Sequence, residues 1–190
     1  MQCLGRVKEL RDALKEYHKN NPQDLASSDL NKKLTSTWGK TYQALDTAIE
    51  PVTPMQLVMV VREINPAFAD VDHGVCKQQD ADECVSLLLN NVHDTLKTKG
   101  DGSEIYSKIL IDELFGIDMQ IKMKNVEENS EVKTKKEVLY KLICYIDNNT
   151  LELVEGLKKS LKENIDLFSD VLQRNTVFEK SQLINRLPNY

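Results

Sequence analysis

Apolar residues recur at three- and four-residue steps through the first 116 positions, and at two-residue steps in several later stretches. Leu4, Val7, Leu10, Leu14 and Tyr17 form one stripe of a helix predicted over 2–19, with Lys8, Glu9, Lys15 and Glu16 turned outward. Asn20-Asn21-Pro22 breaks it. A second helix begins near Ser27-Ser28-Asp29, any of which suits an N-cap, and carries Leu30, Leu34, Trp38, Leu45 and Ile49 on its inner face. Gly39 is the weak point of that helix by propensity, and Trp38 at this spacing reads as core. Pro51-Val52-Thr53-Pro54 separates it from a third helix, with Thr53 as cap, Pro54 in the first turn and Leu57, Val61 and Ile64 inward. Asn65-Pro66 stops this helix.

Residues 68–74 read as a loop into the stretch Cys76-Lys77-Gln78-Gln79-Asp80-Ala81-Asp82-Glu83-Cys84. A helix follows to about Lys99, with Leu87, Leu88, Val92 and Leu96 inward, and Gly100-Asp101-Gly102-Ser103 ends it. Helical signal returns near Glu104 and runs to Gly116, the expected C′ glycine. The period then changes. Ile117, Met119, Ile121 and Met123 alternate with Asp118, Gln120, Lys122 and Lys124, the rhythm of a half-buried strand. Residues 125–136 are charged and predicted to be a mobile loop, after which Val138, Tyr140, Leu142, Cys144 and Ile146 alternate again. The two alternating runs suggest an antiparallel pair. Asp147-Asn148-Asn149-Thr150 should turn the chain and cap a helix with Leu151, Val154, Leu157 and Leu161 inward. Ile165, Leu167, Phe168, Val171 and Leu172 extend the apolar cluster, and Thr176-Val177-Phe178 and the run to Leu187 are predicted extended. The pattern therefore predicts an α+β fold, with a helical part over 1–116 and a smaller antiparallel sheet region over 117–190.

Composition narrows the function classes. With 41% hydrophobic and 29% charged residues among 190, the chain reads as a folded globular protein. No apolar run approaches the length of a membrane span, and the first residues lack the apolar core of a signal peptide. The net charge of −5 commits no face to nucleic acid and permits a basic partner, and neither a nucleic-acid nor a membrane partner is expected. Cys3, Cys76, Cys84 and Cys144 form no CxxC pair. That spacing argues against a zinc site and a disulfide framework and favours a reducing, cytoplasmic compartment, with the nucleus also open. No metal and no cofactor are expected. Cys3 reads as a small buried apolar residue, and His18 and His93 as surface residues. His73 lies three positions from Cys76, but catalytic Cys and His rarely adjoin in sequence, and no orienting Asn or Asp is evident.

The chemistry concentrates at Gln78, Gln79, Asp80 and Glu83. Asp80 and Glu83 have the three-residue separation of a capping box, in which Asp80 accepts from first-turn amides and Glu83 reaches back to the Asp80 amide. The same carboxylates, with Asp82, also suit the positive end of the helix dipole.

The words around this stretch carry a resemblance. QQDADEC resembles a box of the ubiquitin-specific protease family. MQCLGRVKELRDALK is similar to that family's nucleophile-bearing helix, ILIDELFGIDM to its entry into the fingers, and LQRNTVFEKSQLINRLPNY to its approach to the palm. KLICYIDNN matches the proteasome-associated deubiquitinase branch, which also looks zinc-free. The resemblance covers nearly the whole chain and implies an incomplete papain-like fold, with a helical thumb-like part and fingers-like strands leading into the palm. By this comparison the nucleophilic Cys falls before Met1 and the general-base His beyond Tyr190, so the chain alone is expected to be inactive. It implies ubiquitin or polyubiquitin conjugates as partner, with Asp80 and Glu83 paired to arginines of the ubiquitin C-terminal tail and Gln78 and Gln79 ordering the loop or touching that tail. Asp82 stands where an amide is more usual. Engagement of the proteasome would use parts of the parent protein not present here. The resemblance leaves open a non-catalytic ubiquitin-binding or decoy protein derived from the same family.

Overall fold

A computed structural model of the chain describes residues 3–97, 109–128 and 130–188. It divides into two compact units, one ending at Leu114 and the other running from Phe115 to Asn189.

In the first unit the amino-terminal stripe forms a 3-10 turn, Leu4–Arg6, and then α1, Lys8–Asn20. The chain is extended at Val7, so the single predicted helix is two pieces. Leu10, Ala13, Leu14 and Tyr17 are buried, as the stripe predicts, and Leu4 is half-buried. Pro22–Ala26 adds a short 3-10 helix. Asp29 then caps α2, Leu30–Thr47, its Oδ1 accepting from the Asn31 and Lys32 amides at 3.0 and 3.4 Å. Leu34 and Trp38 are fully buried, and the Trp38 and Tyr42 rings lie 5.9 Å apart. Leu45 and Ile49 are exposed instead of inward, Ile49 lying beyond the end of α2 at Thr47.

The third helix, α3, spans Met55–Ile64 and starts one residue later than predicted, with Pro54 at the cap position and no side-chain cap from Thr53. Leu57 and Val60 are buried, while Val61 and Ile64 are half-buried. After a 3-10 turn at Pro66–Ala69, the predicted loop contains a two-residue hairpin, β1 (Val71–Asp72) against β2 (Val75–Cys76). His73 (φ 49°) and Gly74 (φ 80°) both take the left-handed conformation such a turn requires. Helix α4 is Ala81–Lys97, burying Leu88, Leu89, Val92 and Leu96, and α5 is Ile109–Phe115, burying Ile111 and Leu114. The predicted stop at 100–103 and the start near Glu104 lie outside the described residues. Gly116 does not adopt a positive φ; the chain passes directly into a strand, so the predicted C′ role is not used.

The second unit is built on a four-stranded antiparallel sheet, ordered β4-β3-β6-β5. β3, Ile117–Asn125, alternates as predicted, with Ile117, Met119 and Ile121 buried. β4, Val132–Leu139, takes in residues 132–136 of the stretch predicted to be a loop and only 138 and 139 of the run predicted to be the second strand, whose residues 140–146 are outside any strand. The reason is positional. β4 is an edge strand, paired on one side only, and its lysines keep the open edge in water while its backbone pairs with β3 from Ile117↔Leu139 to Lys124↔Val132. Helix α6, Leu153–Ser160, follows the turn at 147–150, but Leu151 and Val154 are exposed, contrary to expectation. Gly156 on this helix lies against Cys144 Sγ and the Tyr145 carbonyl, space that a Cβ would fill. Residues 162–169 form β5 and 174–186 form β6, the latter at the position predicted to be extended.

Candidate functional site

The mouth of α4 is assembled from three pieces of local structure. The hairpin of β1 and β2 ends at Cys76, and the Lys77 amide then donates to the Asp70 carbonyl at 3.0 Å, which sets the direction of the segment leading to Asp80. Asp80 Oδ1 accepts from the Asp82 amide at 2.7 Å, and the Asp80 carbonyl accepts from the Cys84 amide at 3.2 Å. Asp80 is therefore the N-cap, as half of the capping box requires.

The other half is different. Glu83 Oε1 accepts from Asn65 Nδ2 at 2.9 Å and does not close back on the Asp80 amide. Asn65 is itself fixed, its Oδ1 accepting from the Ala67 amide at 3.1 Å as it caps the turn after α3. One amide side chain thus ties the end of α3 to the first turn of α4. Asn65-Pro66 reads in sequence only as a helix stop; its second role needs the fold to bring residue 65 beside residue 83. Arg62 supports the same corner: its Nε donates to the Phe68 carbonyl at 3.2 Å, and its Nη2 lies 3.5 Å from Cys76 Sγ.

Gln78, Asp80, Asp82 and Glu83 are exposed, and Gln79 is half-buried. The carboxylates of Asp80 and Glu83 thus face solvent one helical turn apart, each with one oxygen engaged by the fold and a second oxygen beside it. Such a carboxylate retains the acceptor capacity that a guanidinium fork uses. Gln78 and Gln79 sit on the approach to this mouth.

The thiols are arranged otherwise than a nucleophile requires. Cys3 is exposed, not buried as expected, because it lies at the cap of the first 3-10 turn. Burial pushes the Cys84 thiol above its ordinary range, and the neighbouring Glu83 adds to this. Among the described residues no cysteine is hydrogen-bonded to a histidine. His73 is almost fully exposed and lies 3.7 Å from Asp72, while Cys76 contacts Arg62.

The other two histidines depart from the predicted surface role. His18 Nδ1 lies 2.9 Å from Ser36 Oγ, with burial and then Lys40 lowering its pKa. His93 is largely covered and lies 3.7 Å from Asp112, linking α4 to α5.

The profile of the family described as Ubiquitin carboxyl-terminal hydrolase matches residues 1–190. The whole chain is 33% identical to Ubiquitin carboxyl-terminal hydrolase 6 of Arabidopsis thaliana and 31% identical to Ubiquitin carboxyl-terminal hydrolase 7 of the same plant, covering 38% and 39% of them. It is 27% identical to Ubiquitin carboxyl-terminal hydrolase 6 of Schizosaccharomyces pombe, covering 37% of that protein. The chain thus spans under two-fifths of the length of these relatives. Among solved structures, the Pan2 catalytic unit of Neurospora crassa (protease and nuclease domain) superposes with a TM-score of 0.68 over 98% of this chain and 33% of that one. At 13% identity that likeness concerns the fold alone.

Proposed function

Because the chain belongs to the ubiquitin carboxyl-terminal hydrolase family over residues 1–190, we propose that it is the ubiquitin-gripping part of a cysteine-type deubiquitinase. Its partner in this reading is ubiquitin or a polyubiquitin conjugate. The observation that carries it is the exposed acidic pair Asp80 and Glu83 at the mouth of α4, held at fixed places by the Asp82 amide and by Asn65. A carboxylate so fixed loses little side-chain freedom when an arginine of a basic peptide tail pairs with it, so more of the charge-assisted bond appears as affinity. Gln78 and Gln79 flank the path of that tail.

The whole protein is proposed to hydrolyse ubiquitin isopeptide bonds by thiol attack on the carbonyl, with a histidine shuttling the proton and hydrogen-bond donors stabilising the oxyanion. Among the described residues the cysteines lack an imidazole partner, which supports assigning to these residues the grip and not the cut. Engagement of the proteasome and a cytoplasmic location belong to the same reading; the first rests on the branch resemblance of residues 141–149 and the second on the unpaired cysteines.

Titration of isotope-labelled ubiquitin with the chain tests the grip. Asp80→Ala and Glu83→Ala should each weaken binding by about tenfold, the size of one lost charge-assisted bond, with a smaller change in melting temperature. Asn65→Ala should give a partial loss, because it frees Glu83 without removing its charge. Unchanged affinity in both carboxylate variants, or losses that follow the amount of folded protein, would overturn the assignment.

A further inference from the structure

At the far end of the four-stranded sheet, two turns meet over one carboxylate. The β3–β4 turn brings Glu131 back over Asn125, whose amide donates to the Glu131 carbonyl at 3.0 Å. The β5–β6 turn brings Ser169 and Asp170 to the same place. Asn125 Nδ2 and Ser169 Oγ both donate to Glu131 Oε2, at 2.8 and 2.5 Å, and the Asp170 amide donates to Oε1 at 2.9 Å. Asn125 and Ser169 are fully buried, and Glu131 is 8% exposed.

A second layer locks the first. Asn125 Oδ1 accepts from the Glu127 and Glu128 amides at 2.9 and 3.2 Å, and Ser169 Oγ accepts from the Leu172 amide at 3.0 Å. From the edge strand, Lys133 donates to the Phe168 carbonyl at 2.9 Å, pairs with Asp170 at 2.7 Å and stands 3.7 Å from Glu131. The Ser169 hydroxyl above all, then Asn125 and the Asp170 amide, hold the Glu131 carboxyl below the usual glutamate range despite its burial.

We propose that Glu131 is the buried pin of a clasp that joins the β3–β4 and β5–β6 turns, so that the distal end of the sheet is held as one body and opens locally when the pin is removed. Three donors from both turns converge on two buried oxygens, whereas the other side-chain ties between these turns run through Glu127 and Arg174, both exposed, and through half-buried Lys133. An uncharged isostere cannot serve. In Glu131→Gln the amide nitrogen must face either Asn125 Nδ2 or the Asp170 amide, and both are donors.

Hydrogen exchange on the intact chain, read amide by amide, tests it. Glu131→Gln should accelerate exchange at Glu127, Glu128, Asp170 and Leu172 by about tenfold, while the mid-sheet amides of Ile121 and Gln182 keep their rates. Asn125→Asp alone should do the same, by setting two carboxylates together. The double variant Asn125→Asp/Glu131→Gln exchanges donor for acceptor across the same pair and should recover most of the protection. Unchanged turn amides in Glu131→Gln, acceleration of the whole sheet together, failure of Glu131→Gln to fold, or a double variant no better than either single one would each overturn the clasp.

Discussion

Replacing Gly39 by alanine sets helix propensity against packing, and the two predict opposite signs. Propensity favours alanine in a helix interior by about 1 kcal/mol. Against this, a Cβ at position 39 would stand 2.0 Å from the Leu14 carbonyl oxygen, 2.7 Å from its carbon and 2.9 Å from His18 Cβ. The first two atoms are backbone, so no rotamer change relieves the clash. Ordinary carbon–oxygen contact is about 3.3 Å or more, so α1 must retreat from α2 by roughly 1 Å. A gap of that size forfeits about a quarter to a half of the dispersion well at each contact it opens. The buried residues of the two helices include Leu10, Leu14 and Tyr17 on α1 and Leu34, Trp38 and Tyr42 on α2. Overpacking of a well-filled core typically costs about 1–3 kcal/mol, and an unyielding backbone partner places this case at the top of that range or just beyond. Net of propensity, Gly39→Ala should destabilise by about 2–3 kcal/mol, lowering the melting temperature by roughly 4–12 °C for a chain of this size. Trp38, the one tryptophan of the sequence, lies in the affected core, so its fluorescence during thermal unfolding reports the change directly. An unchanged or raised melting temperature would refute the close-approach argument and leave propensity as the deciding effect.

Two further outcomes follow from the electrostatics. Asp147 is held down to about 2 by the Thr150 hydroxyl, the Asn149 amide and Lys159, in that order. Its contribution to the 147–150 turn is fully present above the ordinary aspartate value near 3.8 and is lost as pH falls through about 2. The Asn149 amide resonance, followed by NMR through acid, should show that low midpoint; a midpoint near 4 would contradict it. For the thiols, Cys3 and Cys76 are exposed, whereas burial raises Cys84, so a thiol reagent at mildly alkaline pH should modify the first two about tenfold faster. Peptide mapping of the partly labelled chain checks this, and Cys84 reacting first would refute it.

The carboxylates of the candidate site were legible in the sequence as a motif, and Asp80 caps α4 as its spacing required. The hold of Asn65 on Glu83 was not, since residues 18 apart meet only through the packing of α3 near α4. The short hairpin at 71–76 was within reach, because His73-Gly74 between two valine-bearing pairs is a turn signal.

Sequence alone determined those elements that bury one face and leave the other in water: α1 with Leu10, Leu14 and Tyr17, α4 with Leu88, Val92 and Leu96, and β3 with Ile117, Met119 and Ile121. In each the period of burial is written directly as the period of apolar residues. Tertiary structure decided the remainder. Val132–Leu139 is a strand because its backbone pairs with β3, and the lysine-rich composition that made it look like a loop is what an edge strand requires. Likewise Leu45, Ile49, Leu151 and Val154 continue an apolar rhythm in the sequence, and they stay exposed. Backbone pairing and the reach of a neighbouring element leave no period in the sequence, so the chain's hydropathy records which faces are buried where elements meet, and the fold alone records where that meeting stops.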